Sequence, residues 1–177
     1  KTGAKVIFSS SSSVADLCSP YALQKQMCED LLRYYWTLGV KSIALRYFNV
    51  FGERQEIANG GNQLALARFL HQYRTGAPFT VYGNGKQRRD FVYVEDVVEA
   101  NLRAAEYLDK AKEFEVINIG TGINYSINEV LDMIDKDHAR ITLPPRIEPF
   151  ENWADISKAQ RLLNWNPTID LPTWLAL

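Results

Sequence analysis

KVIFSSSSSVADLCSPYALQK, residues Lys5 to Lys25, is the stretch whose reading decides the fold. Val6-Ile7-Phe8 is a short apolar run, as in a strand buried on both faces. Five serines, Ser9 to Ser13, then put hydroxyls at its carboxyl end, where open α/β sheets hold their ligands. After a loop, Ser19 reads as an N-cap and Pro20 as the first residue of a helix. Tyr21 and Lys25 then stand one turn apart on one face of that helix.

Helical spacing carries this face through Cys28, Leu32 and Tyr35 to Leu38, and Gly39 supplies the stop. The inward stripe therefore aims Tyr21 and Lys25 at the sheet and its serines. An ammonium held beside a phenol favours the phenolate. That suits Tyr21 to act as general base or acid, with a serine sharing the proton. With nine Tyr and twenty Lys plus Arg in the chain, the pair alone does not separate this role from chance spacing.

Working outward, Ser42 to Phe48 is a second buried strand with Asn49 at its end. Phe48 by itself reads as core packing; Asn49 stands where strand-end ligands are made. Glu53 to Gly61 is polar and glycine-containing, a loop and domain transition. Leu64 to Tyr73 has helical periodicity, ended by Gly76-Ala77-Pro78. Phe79 to Tyr82 is a short strand, and Gly83-Asn84-Gly85 a tight turn. Lys86, Arg88 and Arg89 follow as a basic cluster, either a solvated turn or an arginine fork for phosphate. Val94 to Leu108 is an amphipathic helix whose Glu95 and Asp96 read as caps. Val116 to Ile119 is a buried strand, and Ser126 with Glu129 makes a capping box for a helix to about Asp135. Ile141 to Leu143 is a strand before Pro144-Pro145, and Asp155 caps a helix over Ile156 to Leu163.

A chain of 177 residues can bury one sizeable core, and 46% hydrophobic with 23% charged residues is ordinary for a globular protein. A net charge of −1 argues against nucleic acid or an anionic membrane as partner. No apolar run reaches the ~18 residues of a spanning helix. Cys18 and Cys28 fit no metal or redox spacing, and read as reduced thiols of a cytoplasmic protein. His71 and His138 stand apart with no ligand cluster, so no metal site is expected.

The serine-rich strand end followed by Tyr21-Ala22-Leu23-Gln24-Lys25 resembles the active-site segment of the extended short-chain dehydrogenase/reductases, in particular their NAD-dependent epimerases and dehydratases of nucleotide sugars. Four further stretches are similar to that family in the expected order: Leu45 to Asn49, Arg89 to Asp96, Asn118 to Gly122, and Ala154 to Lys158. The resemblance implies an α/β fold, the C-terminal part of a Rossmann-like doubly wound parallel sheet with a smaller α/β substrate-binding domain. Residues 1–52 would belong to the NAD-binding domain and 53–177 mainly to the sugar-nucleotide domain, with parts of 92–120 returning to the sheet.

It further implies Tyr21 as base, Ser11 as its hydrogen-bond partner and Lys25 on the nicotinamide ribose. Ser9, Ser10, Tyr21, Lys25 and Phe48 would touch NAD. Asn49, Gln63, Val81, Tyr82, Arg89, Arg146 and Asn152 would hold a UDP-sugar, Arg89 and Arg146 on its diphosphate. The reaction implied is epimerisation at the sugar C4 of UDP-glucose and UDP-galactose, by transient oxidation and hydride return, in a homodimer. The 4,6-dehydratases carry Thr-Asp-Glu where Ser11-Ser12-Ser13 stand here, which puts dehydratase behind; uronate decarboxylases and reductases of the same superfamily stay as alternatives. Asn152 would wall the hexose pocket; a small residue there leaves room for a 2-acetamido group, admitting UDP-GlcNAc and UDP-GalNAc.

Two features set this chain apart. Only ten positions separate Ser11 from Tyr21, with Ala15-Asp16 where the family has Tyr-Gly, so an inert remnant is the competing reading. The sequence also holds no strand–Gly-rich turn–helix unit for a dinucleotide pyrophosphate; Gly120-Thr121-Gly122 is followed by Tyr125 where a third glycine is needed. The chain reads as a piece of a longer protein, inactive by itself and with apolar surface left bare.

Overall fold

The computed structural model describes residues 3–17, 19–55 and 64–177. Three parallel strands, β1 (Val6–Ser11), β2 (Ser42–Tyr47) and β6 (Glu115–Ile119), lie in the order β1-β2-β6, with Ser11 beside Tyr47 and Tyr47 beside Ile119. The first strand runs on through the serines to Ser11, and a 3-10 turn covers Ser12–Ala15. Val6, Ile7 and Phe8 are only half-buried, contrary to the expectation of a strand buried on both faces. The cause is position: β1 is an edge, with no strand on its outer side among the described residues.

Helices cover both faces, as parallel sheets require. On one side α3 (Val94–Tyr107) and α5 (Ser157–Leu163) pack against Ile43, Leu45, Ile117 and Ile119, with Trp165 sealing the end. On the other lies α1 (Pro20–Thr37), started by Ser19, whose hydroxyl accepts from Ala22 N at 3.1 Å, and closed at Gly39 with φ +87°.

The inward line of α1 differs from the one expected. Tyr35 and Leu38 are exposed, whereas Ala22, Lys25, Glu29, Leu32 and Trp36 turn inward. The inward line is turned by roughly 60°, with Lys25 and Leu32 common to both. What fixes the rotation is Glu29, fully buried on that face. It accepts from Arg46 Nε (2.9 Å) and Nη2 (2.6 Å) and from Ser10 Oγ (2.5 Å). A buried carboxylate needs such partners, so the alternative rotation, leaving Arg46 unpaired, is excluded. The rotation bares Leu23, Met27, Leu31 and Tyr34 on the outer face of α1.

The second core is built beyond the sheet. Strand β5 (Arg88–Tyr93) pairs in parallel with β3 (Asn49–Phe51) and antiparallel with β7 (Asn124–Ser126); β4 (Phe79–Tyr82) pairs in parallel with β8 (Arg140–Leu143). Strand alternation lets β5 serve both cores: Val92 faces the first, Phe91 and Tyr93 the second. Helices α2 (Ala65–Thr75) and α4 (Ile127–Asp135) bring Leu66, Phe69, Val130 and Leu131 to that second core, and Leu171 enters from the short α6 (Leu171–Leu175). The capping box of Ser126 and Glu129 is present. Asp96, read as a cap, is instead buried and accepts from Thr168 N (3.0 Å) and Oγ1 (2.7 Å), because the chain after α5 folds back over the start of α3.

One carboxylate ties these pieces together. Asp90, fully buried on β5, accepts from Thr121 N and Oγ1 (both 2.8 Å), Gly122 N (2.9 Å) and Ala154 N (3.0 Å). Burial pushes its pKa above the ordinary aspartate value, and these donors oppose that shift. Gly120-Thr121-Gly122 thus cradles the protein's own anion. A Cβ on Gly120 would stand 2.6 Å from Ala154 Cβ and 2.9 Å from Asp90 Oδ2, so only glycine fits. Replacing Asp90 by Asn would turn an N–H2 toward neighbours that are all donors. Asp90→Asn is expected to lower stability by about 2 kcal/mol or more; a urea-denaturation midpoint equal to wild type would show that the carboxylate is dispensable.

Candidate active site

The end of β1 and the start of α1 form one wall of a cavity of about 630 Å³, lined by Ser10 to Ser13, Asp16, Tyr21, Tyr47, Phe48, Asn49 and Asn152 among others. Lys25 Nζ donates to Ser9 O at 2.7 Å and lies 5.5 Å from the centre of the Tyr21 ring and 4.9 Å from that of Phe8. Tyr21 is 51% exposed, with its ring over the cavity rather than buried against the sheet. Ser11 Oγ lies 2.8 Å from Ser13 Oγ; Ser11 and Tyr21 line the same cavity without a direct hydrogen bond. Ser9 Oγ lies 3.3 Å from Tyr47 OH, which donates to Asn101 Oδ1. Ser10 points the other way. Its hydroxyl is committed to Glu29, because adjacent strand residues face opposite sides.

A second cavity of about 200 Å³ opens beside the first, and Asn49, Val50, Leu64 and Arg89 line both. The two are lobes of one cleft. The smaller lobe carries Arg68, Arg89, Arg146 and Glu148, with Tyr82 between them. Arg146 stacks on the Tyr82 ring at 3.5 Å and donates to its hydroxyl. Arg89 donates to Arg88 O and pairs with Glu148 at 2.7 Å. Arg88, its neighbour in the basic cluster, is turned away from the cleft onto Glu129 and Asn124.

Asp90 sets much of this geometry through its backbone. Its carbonyl accepts from Asn49 Nδ2 at 2.7 Å, and its N–H donates to Asn152 O at 3.0 Å. Asn152 is thereby held like an added strand beside β5, while its own Oδ1 is buried without a partner. Val81, expected to touch nucleotide, faces into the second core; Thr80 and Tyr82 on either side line the cleft. Gln63 lies outside the described residues, as does Cys18.

Residues 2–120 match the family model described as the NAD dependent epimerase/dehydratase family. The chain belongs to that family. It is 32% identical to a UDP-glucuronate 4-epimerase of Thermodesulfobacterium geofontis over 160 residues, 86% of this chain and 47% of that protein. Among solved structures, a UDP-glucose 4-epimerase from Thermotoga maritima with UDP-glucose superposes with a TM-score of 0.86 at 32% identity, over 98% of this chain and 62% of the other. A UDP-glucuronic acid 4-epimerase from Bacillus cereus, in complex with UDP-glucuronic acid and NAD, gives 0.82 at 34% identity, over 97% and 59%. The chain spans about half the length of the curated relatives it matches. The Rossmann-like fold class that the five motifs indicated is that of this NAD dependent epimerase/dehydratase chain.

Sequence reasoning missed Glu29, Arg68 and Glu148. Glu29 left a signal, a carboxylate four residues after Lys25 on the inward side of the helix. Arg68 left another, a lone cation among Leu66, Ala67 and Phe69. Glu148 left none, since its partner Arg89 is 59 residues away.

Proposed function

We propose that the protein carrying this chain is an NAD-dependent UDP-sugar 4-epimerase, acting as a homodimer on UDP-glucose and UDP-galactose and on their 2-acetamido counterparts. The observation that carries this reading is one cleft with Tyr21 and the serines in one lobe and an arginine cluster in the other, joined through Asn49 and Arg89. The relatives named above, which are UDP-sugar 4-epimerases, support it. The bare Leu23, Met27, Leu31 and Tyr34 of α1 support a paired state.

The residues present fit the nicotinamide-ribose end of NAD. Lys25, 5.5 Å from the Tyr21 ring, has N–H groups beyond the one given to Ser9 O. Ser9, Tyr21, Phe48 and the backbone at Ser10 would line that end. NAD supplies the acceptor, and later the donor, of the C4 hydride. Tyr21 takes the C4 hydroxyl proton and returns it, Ser11 orients that hydroxyl, and Lys25 would hold the nicotinamide ribose. Asn49, Tyr82, Arg89 and Arg146 hold the UDP. In this reading residues 1–52 form the cofactor side and 53–177 mainly the nucleotide side.

A dehydratase or decarboxylase of the same family is the second reading. The reactive lobe offers one carboxylate, Asp16, beside Ser11, Ser12 and Ser13, which disfavours an elimination that needs two acids.

In a protein joining this chain to a dinucleotide-binding half, Tyr21→Phe is expected to reduce epimerisation at least a hundredfold while UDP affinity stays within about twofold. Retention of most activity would remove Tyr21 as the base. The 177 residues alone, whose Gly120-Thr121-Gly122 cradles Asp90, are expected to bind no NAD at micromolar concentration in calorimetric titration. Asn152 concerns the sugar. Its buried, unpaired Oδ1 is an acceptor suited to an acetamido N–H. Asn152→Tyr should abolish most turnover of the acetamido sugars and spare the plain hexoses; equal effects on both pairs would place Asn152 outside the sugar pocket.

A further inference from the structure

Among the described residues, two buried side-chain polar atoms lack a hydrogen-bond partner, Asn152 Oδ1 and Arg68 Nε, and each residue lines one lobe of the cleft. Buried donors are almost always paired, so an orphan one calls for an explanation. Arg68 sits in the first turn of α2 with its guanidinium 5.0 Å from the centre of the Phe69 ring and 5.2 Å from that of Tyr82. Among the described residues, one of its five N–H groups reaches an acceptor, Thr80 O, and only at 3.4 Å. No carboxylate pairs with it among the described residues. Glu148, the one acid lining this lobe, is taken by Arg89. Burial, together with the charge of Arg146 across Tyr82, presses its pKa below the usual arginine value.

Three guanidiniums and one carboxylate therefore surround a cavity of about 200 Å³, an excess of two positive charges. Such an arrangement costs stability when empty and is repaid by a ligand carrying two negative charges. We propose that Arg68 is a third arm of the diphosphate site, beside Arg89 and Arg146. A small tilt from its place between Phe69 and Tyr82 brings its free N–H groups onto a phosphate oxygen. The ring faces hold the planar group ready while it waits, which limits the entropy lost on binding. This rests on the reading of the cleft as a nucleotide-diphosphate site.

The test is calorimetric titration of wild type, Arg68→Met and Arg68→Lys with UDP, inorganic pyrophosphate and uridine, with melting temperatures taken without ligand. Methionine keeps contact with both rings and removes the charge; lysine keeps the charge and removes the fork. Arg68→Met should weaken UDP and pyrophosphate at least tenfold, leave uridine unchanged, and melt no lower than wild type. Arg68→Lys should fall between the two. Binding of UDP by Arg68→Met within twofold of wild type would overturn the inference. So would equal losses of uridine and UDP, or a lower melting temperature, either of which makes Arg68 a base contact or a structural group. Wild type that binds neither UDP nor pyrophosphate would overturn the diphosphate reading itself, and Arg68's role with it.

Discussion

The Asp90 carboxylate is the constraint on which the rest of the structure depends. Four donors converge on it, from the loop after β6 and from the segment before α5. A buried anion is tolerated only when its lone pairs are filled, and each donor comes from a segment that no local rule would bring there. With the side chain fixed, the backbone of β5 is fixed too. That backbone then holds Asn49 on one side and Asn152 on the other, with Arg89 as the next residue along the strand.

The cleft inherits its layout from this arrangement. Its reactive lobe comes from β1, α1 and the turn between β2 and β3, its charged lobe from α2, β4, β5 and the loop that carries Arg146 and Glu148. Residues 49 and 89, on adjacent paired strands, are the hinge between the lobes. Tyr21 and the serines line one lobe and the arginine cluster the other, with Arg89 reaching both.

Glu29 does for α1 what Asp90 does for β5. It shares one carboxylate between Arg46 on β2 and Ser10 on β1, and so locks the helix that carries Tyr21 and Lys25 against the strand that carries Ser9 and Ser11. A hydrophobic residue there would allow the helix to roll; a bidentate ion pair sets its angle. The same choice leaves the opposite side of α1 apolar and bare, so precision on the inner face and an unsatisfied outer face have one cause.

The sequence by itself determined many of the elements and their order, but not, among others, β3, β5 or β7. Short apolar runs, period-3.6 patterns, the Ser19-Pro20 start, the Ser126–Glu129 box and Gly76 after α2 are local signals, and the segments they mark lie within a few residues of the observed ones. It also determined the strand end with its serines and the Tyr21–Lys25 spacing, since both belong to contiguous stretches. Tertiary structure alone decided which way those stretches face. The rotation of α1 depends on an ion pair spanning 17 positions, the use of Gly120-Thr121-Gly122 on bonds spanning 31 and 32, and the seat of Asn152 on pairing with β5. Val81 shows the limit: alternation says that it and Tyr82 face opposite ways, but only the packed second core says which of them meets the cleft. Local periodicity fixes relative orientation within an element; absolute orientation comes from buried charges finding their partners across the fold.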